Sequence, residues 1–107
     1  MNTSIPQSSN IETYTAVAMS TGHLSEEDKA LLSKQAKDPG CSRIMEREYG
    51  FFIKVPGEPA DVGYNLIEGG SKELNRIIIW AMGCGFQMIE FDADANYIDG
   101  FAVQEQD

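Results

Sequence analysis

The segment SKELNRIIIWAMG, residues 71–83, is the stretch on which the fold turns. Ser71 is a favoured N-cap residue, and Leu74, Ile77, Ile78, Ala81 and Met82 recur at spacings of three and four, which puts them on one side of a helix. Ile79 and Trp80 widen that apolar face, so the helix is predicted to lie centrally across a sheet and to end at Gly83 or Gly85. A helix with so broad a buried face needs strands on either side of it in the chain.

Downstream, FQMIEFD (86–92) alternates Phe86, Met88 and Glu90 against Gln87, Ile89 and Phe91, the pattern of a strand with one apolar and one mixed face. DGFAVQ (99–104) reads as a final returning strand. Upstream, GEPADVGYNLIEGG (57–70) is rich in glycine and proline and reads as a long loop. Before it, CSRIMEREYGFFIKVP holds two short strands, 42–45 and 49–55, with Glu46, Arg47 and Glu48 in the turn between them. SEEDKALLSKQAK (25–37) is a second helix: Ser25 caps it, Asp28 sits where a short-armed capping box forms, and the acids of its first turn oppose the helix dipole. Leu24, Leu31, Leu32, Gln35 and Ala36 form its modest stripe, and the DPG that follows ends it. IETYTAVAMS (11–20) is the first strand, and residues 1–10 are a loose polar arm. The expected fold is a single α+β domain over 11–105, ordered β-α-β-β-α-β-β, with two helices packed on one face of a mainly antiparallel sheet.

A chain of 107 residues supports one core and no second domain. Eight basic against seventeen acidic residues give a formal charge of -9, and after Arg76 the sequence carries Glu90, Asp92, Asp94, Asp99, Glu105 and Asp107 with no Lys or Arg. Such a run repels phosphate backbones and anionic lipid and favours encounter with a basic protein surface, so direct nucleic-acid binding is not expected. Cys41 and Cys84 form neither a CxxC pair nor part of a Cys/His ligand group. The longest apolar stretch is too short to span a bilayer, and no leader pattern opens the chain. The expectation is a cytoplasmic protein with two buried or half-buried thiols, no cofactor and no membrane contact, with a homodimer left open.

FDADANYIDG (91–100) sets three oxygen donors, Asp92, Asp94 and Asn96, at the first, third and fifth positions of a calcium loop. Tyr97 stands where the loop glycine belongs and Val103 where the bidentate glutamate belongs, so a hairpin turn explains the same letters better than a metal site. STGHLS (20–25) offers the chain's one histidine, His23, beside hydroxyls. A catalytic base there needs an orienting carboxylate from the final hairpin, and the segment reads first as a cap and turn. In EREYGFF (46–52), Phe51 and Phe52 point to opposite sheet faces, so one of them is denied the helix-covered core. Tyr49 and Phe51, close to Arg47, are the aromatic candidates for a partner contact.

Three of these segments together resemble a small uncharacterised acidic domain family of plasmids, phages and genomic islands. Its motifs are an STxH segment, matched by Ser20, Thr21 and His23; a YG[WF]F strand, matched by Tyr49, Gly50, Phe51 and Phe52; and FDxD...DG, matched by Phe91, Asp92, Asp94, Asp99 and Gly100. This chain departs from it at Gly22, where alanine is more usual, and at Phe51, where tryptophan is. The resemblance implies a mobile-element setting, in which small acidic proteins act as inhibitors of host defence, CRISPR-type complexes among them. The functional expectation is therefore a non-enzymatic interaction protein. Its partner-binding residues Glu90, Asp92, Asp94, Asp99, Glu105, Tyr49 and Phe51 would occupy a basic, nucleic-acid-binding surface of a defence effector. The rival expectation is a small enzyme using His23 with hairpin carboxylates, with or without a metal ion.

Overall fold

The computed structural model describes residues 11–55 and 66–104. Strands β1 (Ala16–Ser20), β2 (Ile44–Arg47), β3 (Gly50–Lys54) and β4 (Met88–Asp92) form one sheet in the order β1-β4-β3-β2. Helix α1 (Glu26–Ala36) lies between β1 and β2 in the chain, and α2 (Lys72–Gly83) between β3 and β4. The α+β architecture is the expected one, but the sheet is mixed. β4 pairs antiparallel with β3 and parallel with β1, in a register that sets Val17 beside Ile89 and Met19 beside Phe91. β4 takes an interior position with a neighbour on each side, and β1 is left at the edge, pairing in parallel with a strand that follows it in the chain only after two helices and the β2–β3 hairpin.

Alternation along the strands divides the sheet into two faces. Met19, Ile44, Phe51, Ile53, Ile89 and Phe91 point into one core with the helices. Ala16, Ala18, Met45, Arg47 and Lys54 are exposed on the other face, where Phe52, Met88 and Glu90 are half-buried. The predicted face of α2 is buried throughout, at Leu74, Ile77, Ile78, Ala81 and Met82. Each such side chain contributes roughly 1.5–3 kcal/mol on leaving water. Ile79, expected to widen that face, is 44% exposed. Trp80 widens it instead, packing on Phe86 and Phe101 at ring distances of 5.8 and 5.2 Å.

The two helix starts are joined by one carboxylate. Ser25 Oγ accepts the Asp28 N–H at 3.0 Å and so caps α1 as expected, but Asp28 does not return the bond. Its side chain, 2% exposed, accepts the backbone N–H of Ser71 at 3.0 Å and the Ser71 hydroxyl at 2.5 Å. Ser71 Oγ in turn accepts the Leu74 N–H and caps α2. A buried carboxylate is tolerated here because two charge-assisted hydrogen bonds and a helix N-terminus satisfy it.

Two other expectations are corrected. The β2–β3 connection is a two-residue turn, Glu48 and Tyr49, because Arg47 pairs with Gly50; Glu46 and Arg47 therefore belong to β2. Gly50 is required at that bridge, since a Cβ there would overlap the Phe91 carbonyl. Residues 99–104 make no strand: the chain turns at Gly100, with φ 101°, the Ala102 N–H and carbonyl are taken by side chains, and the Gln104 N–H donates to the Gly22 carbonyl. The greater part of the predicted 57–70 loop, and the 1–10 arm, lie outside the described residues. No helix among the described residues is long and apolar enough to cross a membrane.

Candidate functional site

The segment after β1 folds as a single 3-10 turn, Thr21–His23, because Ser20 Oγ accepts the Gly22 N–H at 3.0 Å. This turn drives His23 inward, to 0% exposure. Its Nδ1 lies 2.9 Å from the Ala102 carbonyl, and the Ile98 N–H donates to Nε2 at 2.9 Å. Those partners assign a neutral ring that carries its proton on Nδ1. Tyr97 and Phe101 close around the imidazole edge-on, at 5.3 and 6.0 Å. Further bonds fasten the same C-terminal stretch. Ser20 N donates to Asn96 O at 3.0 Å, Gln104 Nε2 donates to His23 O at 3.2 Å, and Ala102 N donates to Glu73 Oε2 at 2.8 Å. Arg76 stacks over Phe101 at 5.0 Å. Residues 96–104 are thus a strap held by His23 on one side and α2 on the other. Tyr97 lies so close over Gly22 that a Cβ there would stand 2.5 Å from its ring. An alanine at this position therefore requires the tyrosine to move.

The turn after β4 has the geometry expected of its Asp residues. Asp92 Oδ1 accepts the Asp94 N–H at 2.8 Å, and Asp92 O accepts the Ala95 N–H at 3.1 Å, an Asx turn. Among the described residues no three His, Cys, Asp or Glu side chains are grouped to hold a metal ion.

The acidic run is less bare than it reads. Arg47, from β2, reaches across β3 to pair with Glu90 and, at 3.4 Å, with Asp92. The compensating base was missed because it comes from another strand, and Glu90 and Asp92 are only half-exposed. Asp94, Asp99 and Glu48 are exposed, and among the described residues no ion pair reaches them. Glu105 lies outside the described residues.

Of the aromatic candidates, Tyr49 is 62% exposed at the β2–β3 turn, and its carbonyl accepts the Ala93 N–H at 3.0 Å, which sets it beside the acidic turn. Phe51 is not available to a partner: it is 6% exposed, because its parity on β3 points it at the helices. Phe52 takes the open face, with the Arg47 guanidinium 5.4 Å over its ring. Glu48 was not a sequence candidate, and of Phe51 and Phe52 the sequence left open which faces the open side; the two-residue period places Phe52 there. A cleft of about 500 Å³ opens between α1 and this hairpin. Cys84, expected to be packed at the end of α2, caps that helix but is exposed, and Cys41 is half-buried; both are free thiols.

Strand pairing therefore brings Tyr49, Glu48 and the Asp92–Asp94 turn to one end of the sheet, while His23 serves the strap. No curated protein and no solved structure matches the chain. One family does, its description being "Family of unknown function (DUF5983) C-terminal domain", over residues 16–106. That span runs from the first residue of β1 through the whole strap, and the chain belongs to the DUF5983 C-terminal domain family.

Proposed function

We propose that this domain is a non-enzymatic interaction module whose acidic sheet end occupies a basic protein surface, and that its target is a host defence effector, CRISPR-type or similar, at a surface that otherwise holds nucleic acid. The observation that carries the binding reading is the juxtaposition of exposed Tyr49 and Glu48 with the Asp92–Asp94 turn through the Gly50–Asp92 bridge. An exposed aromatic flanked by uncompensated carboxylates suits a basic partner, because the ring supplies contact area and the charges supply steering and register. The net charge of -9 acts in the same direction at long range. The engagement of both His23 nitrogens by backbone groups also favours binding over chemistry at that residue. The defence setting rests on the sequence resemblance alone.

The test is capture of the partner from a host lysate by the parent and by a Glu48→Gln/Asp94→Asn/Asp99→Asn variant, at low and high salt. The variant is expected to capture less partner and to lose most of the salt dependence, with its melting temperature unchanged. Equal capture by both proteins at both salt concentrations contradicts the acidic-end reading. Titration of the captured partner then separates binding from catalysis: a binder saturates near one protein per target site, whereas a catalyst acts substoichiometrically.

A further inference from the structure

We infer that the cleft between α1 and the β2–β3 hairpin receives a long basic side chain, arginine or lysine, from the partner protein. This inference rests on the interaction reading above and names the anchor within it. The cleft, of about 500 Å³, is lined by both apolar and polar groups: Ala30 on α1, Phe51 on β3 and Ala93 after β4 are the apolar ones. Glu46, Glu48 and the exposed Tyr49 line it as well.

Two cations also line the cleft, and both are already engaged inside the molecule. Lys29 is held by Glu26 at 3.1 Å, and Arg47 is held by Glu90 and Asp92. Glu46 accepts the Ser33 hydroxyl and has a lysine partner, Lys37, at 3.7 Å on a side chain that is 74% exposed. Among the described residues no ion pair reaches Glu48. The unspent charge lining the cleft is therefore negative.

A cleft lined by apolar groups together with carboxylates and an aromatic ring matches the chemistry of a side chain with a methylene stem and a cationic head. The Tyr49 ring offers that head a π face as well as carboxylates. An anion is the wrong occupant, because the two cations that would hold it are already neutralised by their own partners.

The test uses the full chain, isotopically labelled, titrated with a hexa-arginine peptide and separately with inorganic phosphate while amide shifts are followed. The peptide is expected to move the Ala30, Ser33, Gly50 and Ala93 signals saturably. Glu46→Gln/Glu48→Gln should weaken it about tenfold, and Asp94→Asn/Asp99→Asn by about threefold or less. Shifts confined to the neighbourhood of Asp94 and Asp99, with no effect of the Glu46/Glu48 change, overturn the cleft while leaving the acidic-end reading in place. No saturable shift anywhere overturns both. Phosphate moving the cleft amides overturns the choice of a cationic occupant. Glutamine retains the hydrogen-bond acceptor that Ser33 uses, so the paired variant keeps the hairpin, and an unchanged melting curve verifies it.

Discussion

His23 and the Glu48–Tyr49 turn are both polar features at the same end of the sheet, yet they differ in how much of their chemistry is spent. Every nitrogen of the imidazole is used, one by Ala102 and one by Ile98, and the ring is fully buried. At the hairpin, the tyrosine ring is 62% exposed and the neighbouring glutamate has no ion-pair partner among the described residues. Residue type alone points to the histidine as the functional group. Spare bonding capacity points to the hairpin, because a group already satisfied inside the fold has little to offer a ligand, and disturbing it leaves buried polar partners exposed to their full desolvation cost.

The sharpest way to break this division is to strike the core beneath both regions. Ile78→Asp places an unpaired charge at a fully buried position and should cost about 4 kcal/mol or more. Against the roughly 5–10 kcal/mol expected for a domain of this size, the variant should retain only a small fraction of the parent's stability and melt far below it. A melt within a few degrees of the parent means that the buried face of α2 is misassigned. A smaller loss follows from Asp28→Ala, which leaves the Ser71 N–H and hydroxyl without their carboxylate. It should lower stability by about 2 kcal/mol in urea titration, with no effect on binding at the hairpin. Smallest of all is the response to calcium. Asp92 is already committed to its own turn and to Arg47, so millimolar calcium should shift the melting temperature by no more than about 2 °C. One ion bound stoichiometrically with micromolar affinity, measured by calorimetry, would sink that reading.

Features whose cause is local were legible in the sequence. The face of α2 follows from the 3.6-residue period, the two serine caps from their positions, and the turn role of Asp92 from its short side chain. What escaped was non-local. Strand order depends on which segments meet across the whole chain, so the parallel β1–β4 pairing is invisible in either segment alone. DGFAVQ follows a turn and has a strand's composition, but its backbone partners are two side chains, His23 and Glu73, and the Gly22 carbonyl, all far away in the chain. The acidic run misled for the same reason, since Arg47 neutralises Glu90 and Asp92 from across the sheet. The site was half legible: Tyr49 was named and exposed, Phe51 was named and buried, and Glu48 was placed in the turn but not named as a partner residue.

The most direct test of the division between spent and spare groups is urea denaturation of two variants side by side, His23→Ala and Glu48→Gln/Asp94→Asn/Asp99→Asn. Removing the imidazole strands the Ile98 N–H and the Ala102 carbonyl and opens a cavity under Tyr97 and Phe101. The expected loss is about 2–4 kcal/mol. The triple neutralisation should leave stability unchanged or raise it by a few tenths of a kcal/mol as repulsion is relieved. A His23→Ala protein as stable as the parent, or a triple variant that loses more than about 1 kcal/mol, would contradict the account.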